Sequence, residues 1–174
     1  MSFPGTQSNM RGVMSKLLIV YHSRTGGTRQ MAEAAASAAR AETNTVLKRA
    51  EEARPEDLLG ASGYLFAGPE NLAALSGAMK EFFDRCYYPV LGRIEGRPYA
   101  LMICAGSDGE NAARQAARIA TGWRLRDVQP PLILNTSAQT PEEILAEKVI
   151  GEEDLAKCRE LGAALGAGLK MGVF

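Results

Sequence analysis

The sequence predicts an α/β protein built on a five-stranded parallel sheet with helices on both faces. Three observations lead to this fold class. Five short apolar runs alternate with segments of helical periodicity. The runs at 16–21, 63–67 and 99–104 are almost continuously apolar, as is typical of parallel strands buried on both faces. Because strand and helix alternate along the chain, right-handed crossovers favour one parallel sheet.

The two remaining predicted strands are shorter than these three. A run of mixed polarity at 45–48 suits the edge of a sheet, and a short run at 132–134 supplies the fifth strand. Residues 137–151 form the one long connection, in which we expect a short helical turn after Pro141.

Helices are predicted where apolar residues recur every three or four positions. A short helix is expected at 55–59, and the acidic residues 152–154 mark the start of the last helix, where they complement its dipole. The apolar faces are, in chain order, Met31, Ala34, Ala35 and Ala38; Met79, Phe82 and Phe83; Ala113, Ala116, Ala117, Ala120 and Trp123; Leu155, Cys158, Gly162, Leu165 and Leu169.

The length, composition and net charge of the chain indicate which classes of protein it can belong to. At 174 residues, with 46% hydrophobic and 23% charged residues, the composition is that of an ordinary globular protein of one domain. Twenty Lys and Arg balance twenty Asp and Glu. A formal net charge of zero argues against a nucleic-acid binder and, more weakly, against a carrier that docks through an acidic face.

The cysteines and the N-terminus bear on location. Cys86, Cys104 and Cys158 form neither a CxxC pair nor a zinc spacing, which favours buried thiols in a reducing compartment. No apolar run approaches the roughly 20 residues needed to cross a bilayer. Residues 1–14 lack the features of a signal peptide, so we expect a flexible tail, with Met1 and Met14 as alternative starts, before a domain at 15–174. A cytoplasmic protein is predicted.

The stretch SRTGGT at 23–28 follows the first strand and leads into an alanine-rich helix. Two adjacent glycines allow tight curvature, and the amides at the start of the helix point outward, where an anion binds favourably. The alternative is a capped helix start, with Thr25 or Thr28 as the N-cap residue. A cap needs one hydroxyl, whereas this loop has three hydroxyls and two glycines. We therefore predict a phosphate-binding loop.

Other phosphate-binding and phosphorylated motifs do not fit this loop. A Walker sequence requires Gly-Lys followed by Ser or Thr, and a dinucleotide fingerprint requires GxGxxG after the strand; neither is present. A phosphoacceptor receiver would carry acidic residues at the end of the first strand, where Tyr21 and His22 stand instead.

Two further loops are predicted at the same edge of the sheet. One follows the third strand, opens with Pro69-Glu70-Asn71 and passes Ser76-Gly77 into a helix. The other follows the fourth strand, where Gly106 and Gly109 free the backbone to direct amides at a ligand. The carboxyl ends of parallel strands share one edge, and ligands of such folds bind there. The three loops are therefore expected to form one site.

With these loops in place, the chain resembles the flavodoxin-like proteins, and among them the NAD(P)H-dependent FMN reductases and quinone oxidoreductases. The resemblance covers residues 16–170. It is carried by three segments, LLIVYHSRTGGTRQMAEA, GYLFAGPENLAALSGAMKEFFDR and YALMICAGSDGENAARQAARIATGW.

The resemblance implies a three-layer sandwich whose five-stranded sheet has the order 2-1-3-4-5 and binds FMN at its carboxyl edge. The FMN phosphate would lie on 23–28, and the flavin ring between 69–72 and 105–109. The implied cofactor-binding residues are Ser23, Arg24, Thr25, Gly26, Gly27, Thr28, Pro69, Glu70, Asn71, Leu72, Ala105, Gly106, Ser107, Asp108 and Gly109.

The function implied is hydride transfer from NADH or NADPH to FMN, and from there to a quinone or a similar acceptor. This chemistry takes place at flavin N5 and needs no catalytic side chain or metal. The resemblance also implies a homodimer or homotetramer. Two alternatives stay open: a flavodoxin-type electron carrier, and a flavodoxin-like module that binds partners without a cofactor.

His22, the only histidine, invites a catalytic role. Its position beside the predicted phosphate loop favours a structural role or a place in the wall of the site over proton transfer.

Overall fold

A computed structural model describes residues 14–174. Except for Met14, the predicted N-terminal tail lies outside this range. The elements are β1 (Lys16–Tyr21), α1 (Gly27–Arg40), β2 (Asn44–Arg49), α2 (Pro55–Leu59), β3 (Gly63–Asn71), β4 (Ala74–Leu75), α3 (Gly77–Val90), β5 (Pro98–Ala105), α4 (Glu110–Gly122), β6 (Arg126–Asp127), β7 (Leu132–Asn135), α5 (Pro141–Leu145) and α6 (Glu152–Met171).

The sheet is parallel apart from one short strand, as the apolar runs predict. Its path is β2-β1-β3-β5-β6, and β7 also pairs with β5. The prediction of five strands is wrong in number, because seven are present among residues 14–174. β4 is an added two-residue strand, antiparallel to the end of β3.

The other difference from the expected order lies at the edge beyond β5. β6 pairs with the start of β5 and β7 with its end, so the two short strands together occupy the place of the fifth strand. The interruption contains Pro130 and Pro131, which have no N–H to donate to a sheet. Counted as one interrupted strand, β6 and β7 complete the order 2-1-3-4-5.

Each face of the sheet has its own core. Leu17, Ile19 and Tyr21 belong to the core beneath α1 and α6, and the alternating Leu18 and Val20 belong to the core beneath α2, α3 and α4. This is the period of two that a strand imposes on its side chains. The predicted three-layer arrangement, with helices on both faces, is confirmed.

An aromatic cluster fills the core beneath α3 and α4. Phe66 of β3 lies between Phe83 of α3 and Trp123 at the end of α4, with ring centroids 5.2 Å and 6.3 Å away. The predicted α3 face of Met79, Phe82 and Phe83 is fully buried here. Aromatic side chains contribute large buried areas, so this cluster fixes the two helices against the sheet.

On the other face, α1 and α6 pack backbone to backbone. The contact on α1 is made of alanines, and α6 meets it with Gly162, where a Cβ atom would overlap the carbonyl oxygen of Ala35. The two helices can approach this closely because Gly162 has no side chain. Among residues 14–174, no helix is both long enough and apolar enough to span a bilayer.

Candidate functional site

The predicted loops meet at one cavity of about 270 Å³ at the carboxyl edge of the sheet. β1, β3, β5 and β7 all end there, because parallel strands share that edge. The lining residues are Ser23, Arg24, Thr25, Gly27, Thr28, Pro69, Glu70, Asn71, Leu72, Cys104, Ala105, Gly106, Ser107, Thr136, Ala138, Ile144 and Lys148. Twelve of the fifteen residues predicted for the site are among them.

The loop at 23–28 is folded into a tight turn at the start of α1. Gly26 lies in the left-handed region, with φ of 91°, where glycine is favoured. Its N–H donates a hydrogen bond to Ser23 Oγ at 3.1 Å. The amides of Gly27, Thr28 and Arg29 have no acceptor among residues 14–174. Three free donors therefore surround the positive end of the helix dipole.

Thr28 is the most informative residue of this loop. Its side chain is 1% exposed, and Thr28 Oγ1 is the one buried side-chain N or O atom without a hydrogen bond among residues 14–174. The neighbouring Cys104 thiol is only a weak partner. A buried hydroxyl without a partner costs about 1–3 kcal/mol. The hydroxyl and the free amides together fit a phosphate, which accepts several hydrogen bonds.

Gly27 holds the phosphate loop against the strand beneath it. A Cβ atom there would lie 2.8 Å from Cys104 Sγ and 3.4 Å from Lys148 Cβ. Contacts this short leave no room for a side chain, so the first turn of α1 rests directly on the end of β5.

The second wall is a hairpin rather than the predicted loop. Pro69, Glu70 and Asn71 continue β3, and the chain returns through Leu72 and Ala73 to β4. Both turn residues have positive φ, 52° and 59°, as in type I′ hairpin turns. A non-glycine residue in this region is strained by about 1–2 kcal/mol. The strain lies in the wall of the cavity, and Leu72 at the tip is fully exposed.

Three hydrogen bonds fix this hairpin to α4 and the loop before it. The Gly109 N–H donates to Glu70 Oε2 at 2.8 Å, Asn111 Nδ2 to the Ala73 carbonyl at 2.7 Å, and the Leu75 N–H to Gln115 Oε1 at 2.8 Å. The Glu70 carboxylate thus joins the second and third predicted loops.

Three predicted residues lie outside the cavity lining. Gly26 lines a neighbouring cavity instead. Asp108 is exposed, and its carboxylate accepts the Glu110 N–H at 3.3 Å. Gly109 packs on Ile133, and its N–H is used by Glu70, so that amide does not point into the cavity. The lining of the third loop is made by Ala105, Gly106 and Ser107.

The segment after β7 forms a fourth wall that the sequence prediction missed. The helical turn expected after Pro141 is confirmed as α5. Lys148 Nζ donates to the carbonyls of Glu143, Ile144 and Ala146, and so closes the end of α5. The one sequence signal for this wall was that the long connection leaves the same sheet edge.

This fourth wall is bonded to the phosphate loop. The Lys148 N–H donates to the Thr25 carbonyl at 2.8 Å. Gln30 Nε2 donates to the Lys148 carbonyl at 2.6 Å, and Gln30 Oε1 accepts the Ile150 N–H at 3.0 Å. The first turn of α1 therefore carries both the free amides and the hydrogen bonds that hold the covering segment.

His22 lies beside the site but does not line the cavity. Its Nδ1 is 2.9 Å from Ser76 Oγ at the start of α3, and its Nε2 is 3.9 Å from Glu51. Partial burial lowers the pKa of His22, Glu51 opposes this, and Arg49 and Arg24 reinforce it. These contacts favour the structural role, because they tie the end of β1 to α3.

Acidification below about pH 6.5 is expected to reduce the free energy of unfolding of the protein. The unfolded chain binds a proton at His22 near pH 6.5, whereas the folded chain does so only at lower pH. This contribution to stability is present above pH 6.5 and is lost as the pH falls through the lowered pKa. Denaturant titrations between pH 7 and pH 5 measure it. A His22→Asn variant, which retains a polar group near Ser76, is expected to lose this slope; an unchanged slope would contradict the assignment.

The cysteines and acidic residues show no second reactive centre. Cys86, Cys104 and Cys158 are buried and free, as predicted. Burial raises the pKa of the Cys104 thiol although Lys148 opposes it, and burial raises the pKa of Cys158 to about 11. These thiols remain protonated near neutral pH. Within residues 14–174, no group of three or more His, Cys, Asp or Glu side chains could hold a metal ion.

Two curated proteins are similar to this chain in sequence. A flavodoxin from Aquifex aeolicus (strain VF5) is 41% identical over 98 residues, covering 55% of this chain and 53% of the flavodoxin. An NAD(P)H dehydrogenase (quinone) from Acidithiobacillus ferrooxidans (strain ATCC 53993 / BNL-5-31) is 34% identical over 94 residues, covering 41% of this chain and 47% of that protein. The chain spans about half the length of the curated relatives it matches. No family model matches the sequence.

Solved structures match over most of the chain. A flavodoxin from the domain Archaea superposes with a TM-score of 0.72 at 18% identity, covering 89% of this chain and 99% of that one. A flavodoxin, WrbA-like protein from Agrobacterium tumefaciens gives a TM-score of 0.72 at 20% identity, covering 90% and 98%. The fold is therefore that of flavodoxins. The sequence similarity to a flavodoxin and to an NAD(P)H dehydrogenase (quinone), over 55% and 41% of this chain, agrees with this fold.

Proposed function

We propose that this protein is an FMN-dependent oxidoreductase that takes hydride from NADH or NADPH and reduces a quinone or a similar acceptor. The observation that carries the proposal is the buried, unpartnered hydroxyl of Thr28 beside the free amides of Gly27, Thr28 and Arg29. Four donors at one helix start match a terminal phosphate.

In this proposal the phosphate loop, residues 23–28, holds the FMN phosphate. The flavin ring would lie between the β3–β4 hairpin at 69–72 and the loop at 105–107. Gly106 and Ser107 line the cavity and leave backbone donors near the ring. The flavin supplies the redox chemistry when bound, as acceptor and donor of electrons. The chain contributes binding, orientation and exclusion of water.

The cavity offers few free positive charges to a phosphate dianion. Most of its hydrogen-bond donors are neutral backbone amides and the Thr28 hydroxyl. Arg24 supplies one guanidinium, whereas Lys148 is occupied by the three carbonyls at the end of α5. Glu70 is the acidic lining residue, and its carboxylate is turned to the Gly109 N–H. Fixed amide dipoles need no reorganisation when an anion binds, so they suit a tightly held cofactor.

The absence of aromatic side chains from the described lining of the cavity favours the enzyme over a carrier. A flavin covered by aromatic rings is closed to a second ring system. Here the hairpin presents Leu72 and Asn71, which leaves a ring face open for a nicotinamide. The 34% identity to an NAD(P)H dehydrogenase (quinone) supports the same conclusion.

An electron carrier of flavodoxin type is the second candidate function. It is favoured by the 41% identity to a flavodoxin over about half of the chain. The formal net charge of zero, which gives no strongly acidic docking surface, counts against it.

The visible spectrum of the purified protein, recorded with and without added FMN, tests the proposal. Flavin absorbance that bleaches rapidly with NADH or NADPH and returns on adding a quinone is the expected result. Bound flavin that neither nucleotide reduces would favour the carrier. A colourless protein that takes up no FMN would contradict both and favour a module that binds partners without a cofactor.

Two properties of the whole protein belong to the same proposal. Three free, buried cysteines support a reducing, cytoplasmic location. Exposed apolar side chains near the cavity and on α3, among them Leu72 and Tyr88, support a homodimer or homotetramer. Balanced charge supports small-molecule rather than nucleic-acid partners.

A further inference from the structure

A second cavity of about 380 Å³ adjoins the phosphate loop. It shares Ser23, Arg24 and Thr25 with the first cavity, so the two spaces meet at this loop. Its remaining lining comes from the end of β1, the first turn of α1, the end of β2 and the segment after α5. These residues are Tyr21, Gly26, Arg29, Arg49, Leu145 and Glu147.

Three arginines give this second cavity a positive character. The side chains of Arg24 and Arg29 form no hydrogen bond or ion pair within residues 14–174. The Arg49 side chain makes only a 3.6 Å contact with Glu51. Glu147 is the single acidic residue of the described lining. Arg85 and Arg97 bind carboxylate or carbonyl oxygens elsewhere in this chain. Exposed arginines such as Arg118 also lack a partner among the described residues, so the observation that matters is that three guanidinium groups surround one space. Three guanidinium groups around one space, two of them unpaired, indicate a site for an anion from outside the chain.

Arg29 and Arg49 are not required for the phosphate of the first cavity. Arg29 and Arg49 line only the second cavity, whereas the free amides and Thr28 already supply donors for a flavin phosphate. A second phosphate-bearing group that binds next to the flavin would account for them.

We propose that Arg29 and Arg49, with Arg24, bind the 2′-phosphate of NADPH and make the protein selective for NADPH over NADH. This inference rests on the proposed function, because the donor must reach a flavin held in the adjoining cavity. A guanidinium presents paired N–H groups that match phosphate oxygens. NADH carries a neutral hydroxyl in place of that phosphate, so it gains little from three positive charges.

Binding of a nucleotide fragment tests the site without relying on turnover. Calorimetry on the FMN-loaded protein compares adenosine 2′,5′-bisphosphate with AMP, which lacks the 2′-phosphate. We expect the bisphosphate to bind at least about tenfold more tightly, with a preference that weakens as salt is raised. Equal affinities for the two compounds would overturn the proposal.

Substitutions test whether Arg29 and Arg49 bind the 2′-phosphate. Arg29→Gln and Arg49→Gln are each expected to weaken bisphosphate binding and to raise the KM for NADPH by about tenfold, with less than about a twofold change for NADH. Arg118→Gln, an exposed arginine of α4, is the matched control and is expected to change neither value. FMN affinity is expected to stay unchanged in all three variants. A loss of FMN affinity instead would mean that the arginines serve the flavin phosphate, and would overturn the proposal.

The two proposals fail in different ways. If the flavin is reduced equally well by NADH and NADPH, the proposed function stands and the selectivity site does not. If neither nucleotide reduces the flavin, the proposed function fails even where the bisphosphate binds.

Discussion

Replacing Thr28 with valine is expected to weaken FMN binding by roughly 10- to 100-fold while it stabilises the FMN-free protein. Valine has nearly the shape of threonine and lacks the hydroxyl. In the FMN-free fold that hydroxyl is buried without a hydrogen bond, so its removal should raise the free energy of unfolding by about 1 kcal/mol. With FMN bound, the substitution removes a hydrogen bond to a charged group, which is typically about 1.5–3 kcal/mol. Fluorescence titration with FMN and denaturant unfolding measure the two effects.

Thr45→Val is the matched control for this result. Thr45 is also buried, but its hydroxyl donates to the Thr43 carbonyl at 3.1 Å. Its replacement is expected to lower the free energy of unfolding or leave it unchanged, with no effect on FMN affinity. If Thr28→Val bound FMN as tightly as the unmodified protein, the hydroxyl would have no role in holding the phosphate.

Gly162→Ala is expected to destabilise the protein by about 3 kcal/mol, at the upper end of overpacking costs. The added methyl would overlap the Ala35 carbonyl oxygen and lie 2.7 Å from the Ala35 carbonyl carbon. Both clashing atoms belong to the backbone of α1, so no side chain can move aside and the helices must separate. For a chain of this length the melting temperature should fall by roughly 6–12 °C.

Gly77→Ala separates this clash from the general effect of replacing glycine. A Cβ atom at Gly77, the first residue of α3, would meet nothing within 4 Å. The same substitution is there expected to leave stability unchanged or to raise it by about 0.4–1 kcal/mol. Similar losses in both variants would contradict the account of the contact between α1 and α6.

The strands of the parallel sheet could be predicted from the sequence because they are buried on both faces. Apart from Lys16 at the first position, the runs at 16–21, 63–67 and 99–104 have no charged residue. The pairing between strands could not be predicted from these runs. β3 continues to Asn71 because β4 pairs with its end, and prolines after Asp127 divide the last strand. The length of β3 and the division of the last strand depend on neighbouring segments rather than on the hydrophobic pattern of the strand itself.

The buried face of α1 could be predicted only in part from the sequence. The prediction named Met31, Ala34, Ala35 and Ala38, and Met31 and Ala35 are buried as expected. Ala34 and Ala38 are only half-buried, and Ala32, Ala36 and Ala39 are buried in their place. In a helix made largely of alanine, the contrast in hydrophobicity between its faces is too small to fix the orientation.

The candidate site was predictable to the extent that its residues leave strand ends. The loop at 23–28 carried its own signal, because hydroxyls and glycines stood together before a helix. The segment with Thr136, Ala138, Ile144 and Lys148 carried no signal beyond its departure from the same sheet edge. Its position depends on Gln30 and on the Thr25 carbonyl. Asp108 and Gly109 were expected to line the cavity, but the turn into α4 directs Asp108 to the surface and Gly109 to Glu70.

The central claim is that the free amides and Thr28 hold a phosphate ester, and comparing FMN with riboflavin tests it most directly. The two compounds share the ring and the ribityl chain and differ only in the phosphate. Titration of the FMN-free protein followed by flavin fluorescence is expected to show FMN binding at least about 100-fold more tightly than riboflavin, because several charge-assisted hydrogen bonds are lost with the phosphate. Equal affinity for both compounds, or no binding of FMN, would contradict the account.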